Sequence, residues 1–124
     1  MYFYFSTNEI KKDSIFICGG IITTMKKVKI TVVKKTLHQD LKDKYENPIK
    51  HACDLNEGDY FISIDAQMPI GFCPEAWKSV APFVSRLANG EENFFDGWMK
   101  NPKSAVISCN DGIRPVSFLV EVIE

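Results

Sequence analysis

The sequence predicts an α+β domain: an antiparallel sheet of about four strands, one main helix packed on a face, and a C-terminal β-hairpin. Three observations lead there. Apolar and polar residues alternate over 27–35, over 59–66 and in two runs after residue 104, which is the period-two signature of half-buried strands. Pro74 to Asn89 instead carries its apolar residues at i, i+3, i+4 and i+7, a helical spacing. Asp111-Gly112, between the last two alternating runs, is a strong hairpin-turn dipeptide.

Size and composition agree with one core. The chain has 124 residues, 45% of them hydrophobic, including nine Phe. This excludes a disordered chain and suits a single domain. Four cysteines are too few for a disulfide-built scaffold. A net charge of −1 gives no general reason to expect nucleic acid or an anionic membrane as partner, and any partner protein or small molecule is left unspecified.

Residues 1–24 read as an extension to a domain spanning 25–124. Their longest apolar stretch, Ile15 to Ile22, contains Gly19 and Gly20 and falls far short of the ~20 residues that span a bilayer. The apolar opening precedes Lys11 and Lys12, the reverse of a signal peptide, so a cytoplasmic location is expected. The extension could be an added strand, a mobile arm or an over-extended translation start. Met25-Lys26-Lys27 before a strand pattern looks like an ordinary protein start. No role is expected for Cys18.

In the first strand Val28, Ile30 and Val32 alternate with Lys29 and Thr31. Residues 36–57 lack a sustained period and contain Pro48, so they read as a long loop with room for one helical turn. Residues 25–50 hold eight Lys against Asp40, Asp43 and Glu46. Lysines guarding an exposed strand edge are the plainer reading, and phosphate contact is a minor one.

Asn56 to Asp59 is a turn. Tyr60, Ile62 and Ile64 then alternate with Phe61, Ser63 and Asp65 until Met68-Pro69-Ile70-Gly71 breaks the strand. In the helix, Trp77, Val80, Ala81, Val84, Leu87 and Ala88 share one face. Pro74 suits the first helical position, Glu75 the positive end of the dipole, and Asn89-Gly90 the stop. Pro82 should kink or split the helix. Residues 91–103 form an aromatic loop, with Trp77 and Trp98 read as core and lid. A two-residue turn at Asp111-Gly112 would place Cys109 opposite Arg114 and Ile107 opposite Val116. The guanidinium would then favour a thiolate at Cys109.

Chemistry concentrates on sulfur. Cys73 sits at the predicted helix N-cap, where free N–H groups and the dipole stabilise negative charge. His51 and Cys53 are two residues apart on a loop, so both could reach one centre. With Cys73 and Cys109 they make three thiols and one imidazole, a ligand set known for zinc and possible for an iron–sulfur cluster. The spacing is a weak signal, since no C-x-x-C occurs, and each thiol could equally be a small buried hydrophobe. Nucleotide loops and the G-x-S-x-G elbow are absent from the sequence. Asp59, Asp65, Asp96 and Asp111 could supply a carboxylate pair, but each has a simpler role in a turn or at a strand end.

Taken together, KVKITVVKKT after Met25, the lone Cys53 before G-D-x-F, M-P-x-G-F-C-P-x-A-W at 68–77 and C-x-D-G-x-R-P-V at 109–116 resemble a family of small uncharacterised bacterial and archaeal proteins. The resemblance covers roughly residues 25–123. It implies that Cys53, Cys73, Trp77, Cys109, Asp111, Gly112, Arg114 and Pro115 match the family's pattern, while Cys18 and the first 24 residues fall outside it. It brings no reaction with it.

The leading expectation is therefore a small cytoplasmic protein whose Cys53, Cys73 and Cys109 bind a metal, zinc or an iron–sulfur centre. His51 or an exogenous ligand would be the fourth ligand, and Arg114 would offset the sulfur charge. The alternatives are a thiol redox or transfer protein using Cys73 as nucleophile, with Cys109 or Cys53 resolving, and a small interaction module with merely structural cysteines.

Overall fold

The computed structural model describes residues 15–18, 21–50 and 52–124. Two short strands come first, β1 (Ile15–Cys18) and β2 (Ile21–Thr24), paired antiparallel with Cys18 opposite Ile21. These two strands form a sheet of their own, separate from the main one, and residues 19 and 20 lie outside the described residues. Residues 1–14 lie outside the described residues.

The main sheet has four antiparallel strands in the order β4-β3-β6-β5. They are β3 (Val28–Lys35), β4 (Tyr60–Ser63), β5 (Ser104–Ser108) and β6 (Val116–Val122). The period-two pattern directs one face of each strand inward: Val28, Ile30 and Val32 from β3, Ala105 and Ile107 from β5, and Val116, Phe118 and Val120 from β6 are buried. On β4 the buried side is Phe61 and Ser63, because Ile30 pairs with Phe61 and Val28 with Ser63. Tyr60 is left 61% exposed. The Ser63 hydroxyl, buried in this way, donates to the Gln67 carbonyl at 2.7 Å.

The strand β3 is interior, paired on both sides. Its lysines therefore do not guard a sheet edge; Lys29 lies on the face away from the buried residues, its ammonium 4.6 Å from the centroid of the Tyr60 ring. A bulge between Val32 and Lys34 shifts the register, so that Lys35 stands opposite Val116. Directly opposed residues point to the same face. The bulge thus turns Lys35 onto the inward face.

That face is covered by α2 (Pro74–Ala88), which buries Ala76, Val80, Val84, Leu87 and Ala88. Pro82 does not split the helix, which runs unbroken through it: Pro82 is exposed, and the carbonyl left without an N–H partner one turn earlier belongs to Lys78, itself exposed to water. Phe72, just before the helix, seats its ring 5.1 Å from Phe61, 5.3 Å from Phe118 and 6.0 Å from Trp77, fixing the helix start on the sheet.

Two connections are more ordered than the sequence suggests. Within 36–57 lies α1 (Gln39–Tyr45), with no buried residue, an i,i+4 hydrogen bond from Gln39 to Asp43 at 2.8 Å, and Lys42 and Lys44 in its last turn. Within 91–103 lies the short turn α3 (Phe94–Gly97), in which Phe95 and Asp96 adopt positive φ. Trp98 after it is 82% exposed, so it lids nothing among the described residues, whereas Trp77 is half-buried against the core.

Candidate functional site

The three thiols arrive at one end of the sheet by three routes. The C-terminus of α2 is pinned at the other end, where the Lys26 N–H donates to the Ala88 carbonyl at 2.8 Å. The helix N-terminus, with Cys73 at the N-cap, therefore points toward the Lys35 and Val116 end. Cys109 follows β5 directly, and its N–H donates to the Val116 carbonyl at 2.9 Å, continuing the ladder past Ser108 and Ser117. Cys53 lies just before Leu55, whose carbonyl accepts the Lys35 ammonium, and before Gly58, whose N–H donates to Val32 at 2.8 Å. All three thiols are free, half-buried and packed against the core.

The hairpin register corrects the expectation for Arg114. Ile107 pairs with Phe118, not Val116, so the strands shift by two residues and keep their faces. The connection 109–115 is consequently longer than a two-residue turn, and Cys109 faces Val116 rather than Arg114. The Val116 N–H donates to the Cys109 sulfur at 3.3 Å. The row across the inward face at this end is thus Lys35, Val116, Cys109, with strands about 4.8 Å apart. The cation contributed to that face is Lys35, which only the bulge placed there.

Arg114 does other work. Its Nη1 donates to Glu46 Oε2 at 2.9 Å and its Nη2 to Glu46 Oε1, a bidentate pair in which the side chains are only 17% and 19% exposed. Nη1 also reaches Asp111 Oδ2 at 3.4 Å. Asp111 Oδ1 accepts the N–H groups of Ile113 (2.8 Å) and Arg114 (3.1 Å), so this carboxylate shapes the turn, as expected of it. Asp59 does likewise by accepting the Asn56 N–H at 2.9 Å.

Electrostatics follow the geometry. The hydrogen bonds from Arg114 hold the Glu46 carboxyl below its ordinary range, and its charge adds to that effect against partial burial and the nearby Asp111. Burial raises Asp111, but the N–H groups of Arg114 and Ile113, with the Arg114 charge, outweigh it and leave the carboxyl lowered. Arg114 is raised above its ordinary value, chiefly by its hydrogen bond to Glu46.

Sequence reasoning missed Glu46, which it counted only in a charge run, and Lys35. The one signal for Glu46 was an unpaired arginine in a turn motif, and the sequence offers no signal for the bulge. Among the described residues, no three of the His, Cys, Asp and Glu side chains form a group that could hold a metal ion as they stand. His51 lies outside the described residues. Among the described residues no helix is long and apolar enough to cross a membrane. No protein-family model, curated protein or solved structure gives a significant match to this chain.

Proposed function

We propose that the end of the sheet shared by Cys53, Cys73 and Cys109 is a thiol site that takes a thiophilic metal, either zinc or an iron–sulfur centre. The support for this reading is topological: a helix start whose Phe72 ring rests on Phe118, a strand end paired at Val116 and a loop bonded to Lys35 at Leu55, far apart in sequence, each carry a half-buried free thiol. The side chains as they stand form no closed ligand group, so binding requires the thiols to turn toward a common centre, with His51 or an exogenous ligand completing the set. Lys35 and the first turn of α2 would offset the negative charge of the sulfurs. Free thiols fit the reducing cytoplasm as compartment.

A second reading is favoured by one feature of Cys73. It makes no side-chain capping bond at the N-cap of a 15-residue helix, which leaves the N–H groups of the first turn directed at its surroundings. In that reading the Cys73 thiolate attacks a disulfide substrate and expels one substrate thiolate. Cys109 or Cys53 then displaces the other. The substrate gains two electrons and two protons, and the chain is left with an internal disulfide.

Anaerobic purification followed by elemental analysis separates the readings. The metal reading expects stoichiometric zinc or iron, with sulfur neighbours at about 2.3 Å by X-ray absorption, and loss of that metal when any one of the three cysteines becomes Ser. Metal-free protein whose Cys73 is alkylated selectively near neutral pH replaces it with the second reading. Metal-free protein with no selectivity among the thiols removes both and leaves cysteines that merely pack.

A further inference from the structure

We infer that Arg114 is a positioning residue that locks the Cys53 segment to the Cys109 turn and so sets the geometry of the thiol site; this deepens the reading proposed above and rests on it. Glu46 is the C-cap of α1 and opens the segment that leads to Cys53. That segment is held at its two ends: at Glu46 by the bidentate Arg114 guanidinium, and at Leu55 by the Lys35 ammonium. Arg114 itself belongs to the turn that begins at Cys109. The contact between residues 46 and 114 therefore fixes, across 68 positions of chain, the segments carrying two of the three thiols. Cys73 is outside this arrangement, because α2 is held by its own buried face and by Phe72.

Two further contacts moor the turn to the start of α1, opposite the end held by Glu46. The His38 N–H donates to the Ile113 carbonyl at 2.8 Å, and the Thr36 N–H to the Pro115 carbonyl at 3.0 Å. A helix of seven residues with no buried side chain contributes little to the core. Its attachment to the hairpin turn by backbone at its start and by an ion pair at its end gives it a clear task, which is to present Glu46 to Arg114. The planar fork of arginine meets both carboxylate oxygens at once, and a lysine could not.

The test is site-resolved alkylation of the full-length chain, as purified and again after chelation, in wild type, R114Q, R114K and the swapped pair E46R/R114E. In the chelated chain R114Q should raise the alkylation rates of Cys53 and Cys109 by roughly 5- to 30-fold, the change in open population that accompanies loss of such a contact. Cys73 should stay as in wild type and the melting temperature should change little. R114K should behave nearly as R114Q, and the swap should restore slow alkylation in part, because the new carboxylate at position 114 faces Asp111. Unchanged Cys53 and Cys109 rates in R114Q, or an equal rise at all three thiols with a fallen melting temperature, would overturn the inference. Failure of the metal reading is seen separately: wild type that purifies without metal yet shows selective opening in R114Q keeps the lock and loses the metal. Metal-loaded wild type whose R114Q variant keeps both metal and thiol protection does the reverse.

Discussion

The two ends of the sheet are closed by different means. At the Lys26 end backbone bonds predominate, and the side chains that take part bond to near neighbours in the chain: Ser104 to Asn101, Asn89 to Ser85 and Arg86 to Glu91. Lys26 bonds to Ala88, Val122 to Lys103 and Ile123 to Lys27, while the Gly90 and Glu91 N–H groups return to Leu87 and Arg86 as a Schellman stop to α2. At the Lys35 end the closure also depends on side chains from distant segments: a bulged lysine, a bidentate arginine, a turn-forming aspartate and three thiols. Backbone closure tolerates almost any surface side chain. Closure by side chains commits particular residue types, and such commitment is expected where chemistry occurs rather than where a fold merely ends.

The comparison is broken most severely through the core that both ends share. Phe118 is fully buried and carries the Phe72 ring that seats the start of α2. Phe118→Ala should cost about 3–5 kcal/mol by denaturant unfolding, and it should accelerate alkylation of Cys73 in the folded ensemble because Phe72 loses its support. A loss below about 0.5 kcal/mol, the range of ordinary surface changes, would show that the helix start is held by something other than this aromatic cluster. A smaller perturbation sharpens the contrast from the other side. Gly90 has φ +92° with open space around its Cα, so Gly90→Ala meets only backbone strain, worth about 1–2 kcal/mol. The thiols at the far end should keep their wild-type reactivity in that variant. Selective exposure of Cys53 or Cys109 there would mean that the two ends are not independent.

The fold was legible where one physical signal dominated. Period-two alternation located β3, β5 and β6, helical spacing with Pro74 and Asn89-Gly90 located α2 to within a residue, and all of these pack one core. What escaped lacked a local signal. Helix α1 is seven residues long and buries none of them, so its one apolar pair, Leu41 and Tyr45, made too short a signal to read as a helix. The bulge at Val33 shows only in pairing, yet it sets Lys35 opposite Val116, from where the ammonium reaches the Leu55 carbonyl. The Asp111-Gly112 dipeptide suggested a two-residue turn, but Asp111 instead closes its own Asx-type turn onto Ile113 and Arg114 and lengthens the connection. The candidate site was legible as residue types, Cys53, Cys73, Cys109 and Arg114, and not as contacts. The partner of Arg114 lies 68 residues away, and only tertiary structure supplies it.

The gentlest probe of the contrast is acid. Glu46 has its carboxyl lowered by Arg114, and the charged groups facing it are Arg114, Asp111 and Lys42. A carboxyl lowered in the folded state adds stability that is fully present above its unfolded value and is lost as pH falls through its folded value. Arg114, raised in the folded state, contributes below its unfolded value, so throughout the acid range it remains charged and the change belongs to the carboxylates. Loss should therefore begin at about pH 4, where free carboxylates titrate, and continue downward. Both side chains remain in contact with water, so the effect on global unfolding should be slight. It should appear instead as a local opening: alkylation at pH values just below that onset, corrected for thiol ionisation with a denatured control, should rise for Cys53 and Cys109 before Cys73. E46Q should show the raised rates already at neutral pH and lose most of the acid step. If acid opens the three thiols together, or if the Lys26 end exchanges its amide protons first, then the side-chain closure is no weaker than the backbone closure, and the difference between the two ends is only one of composition.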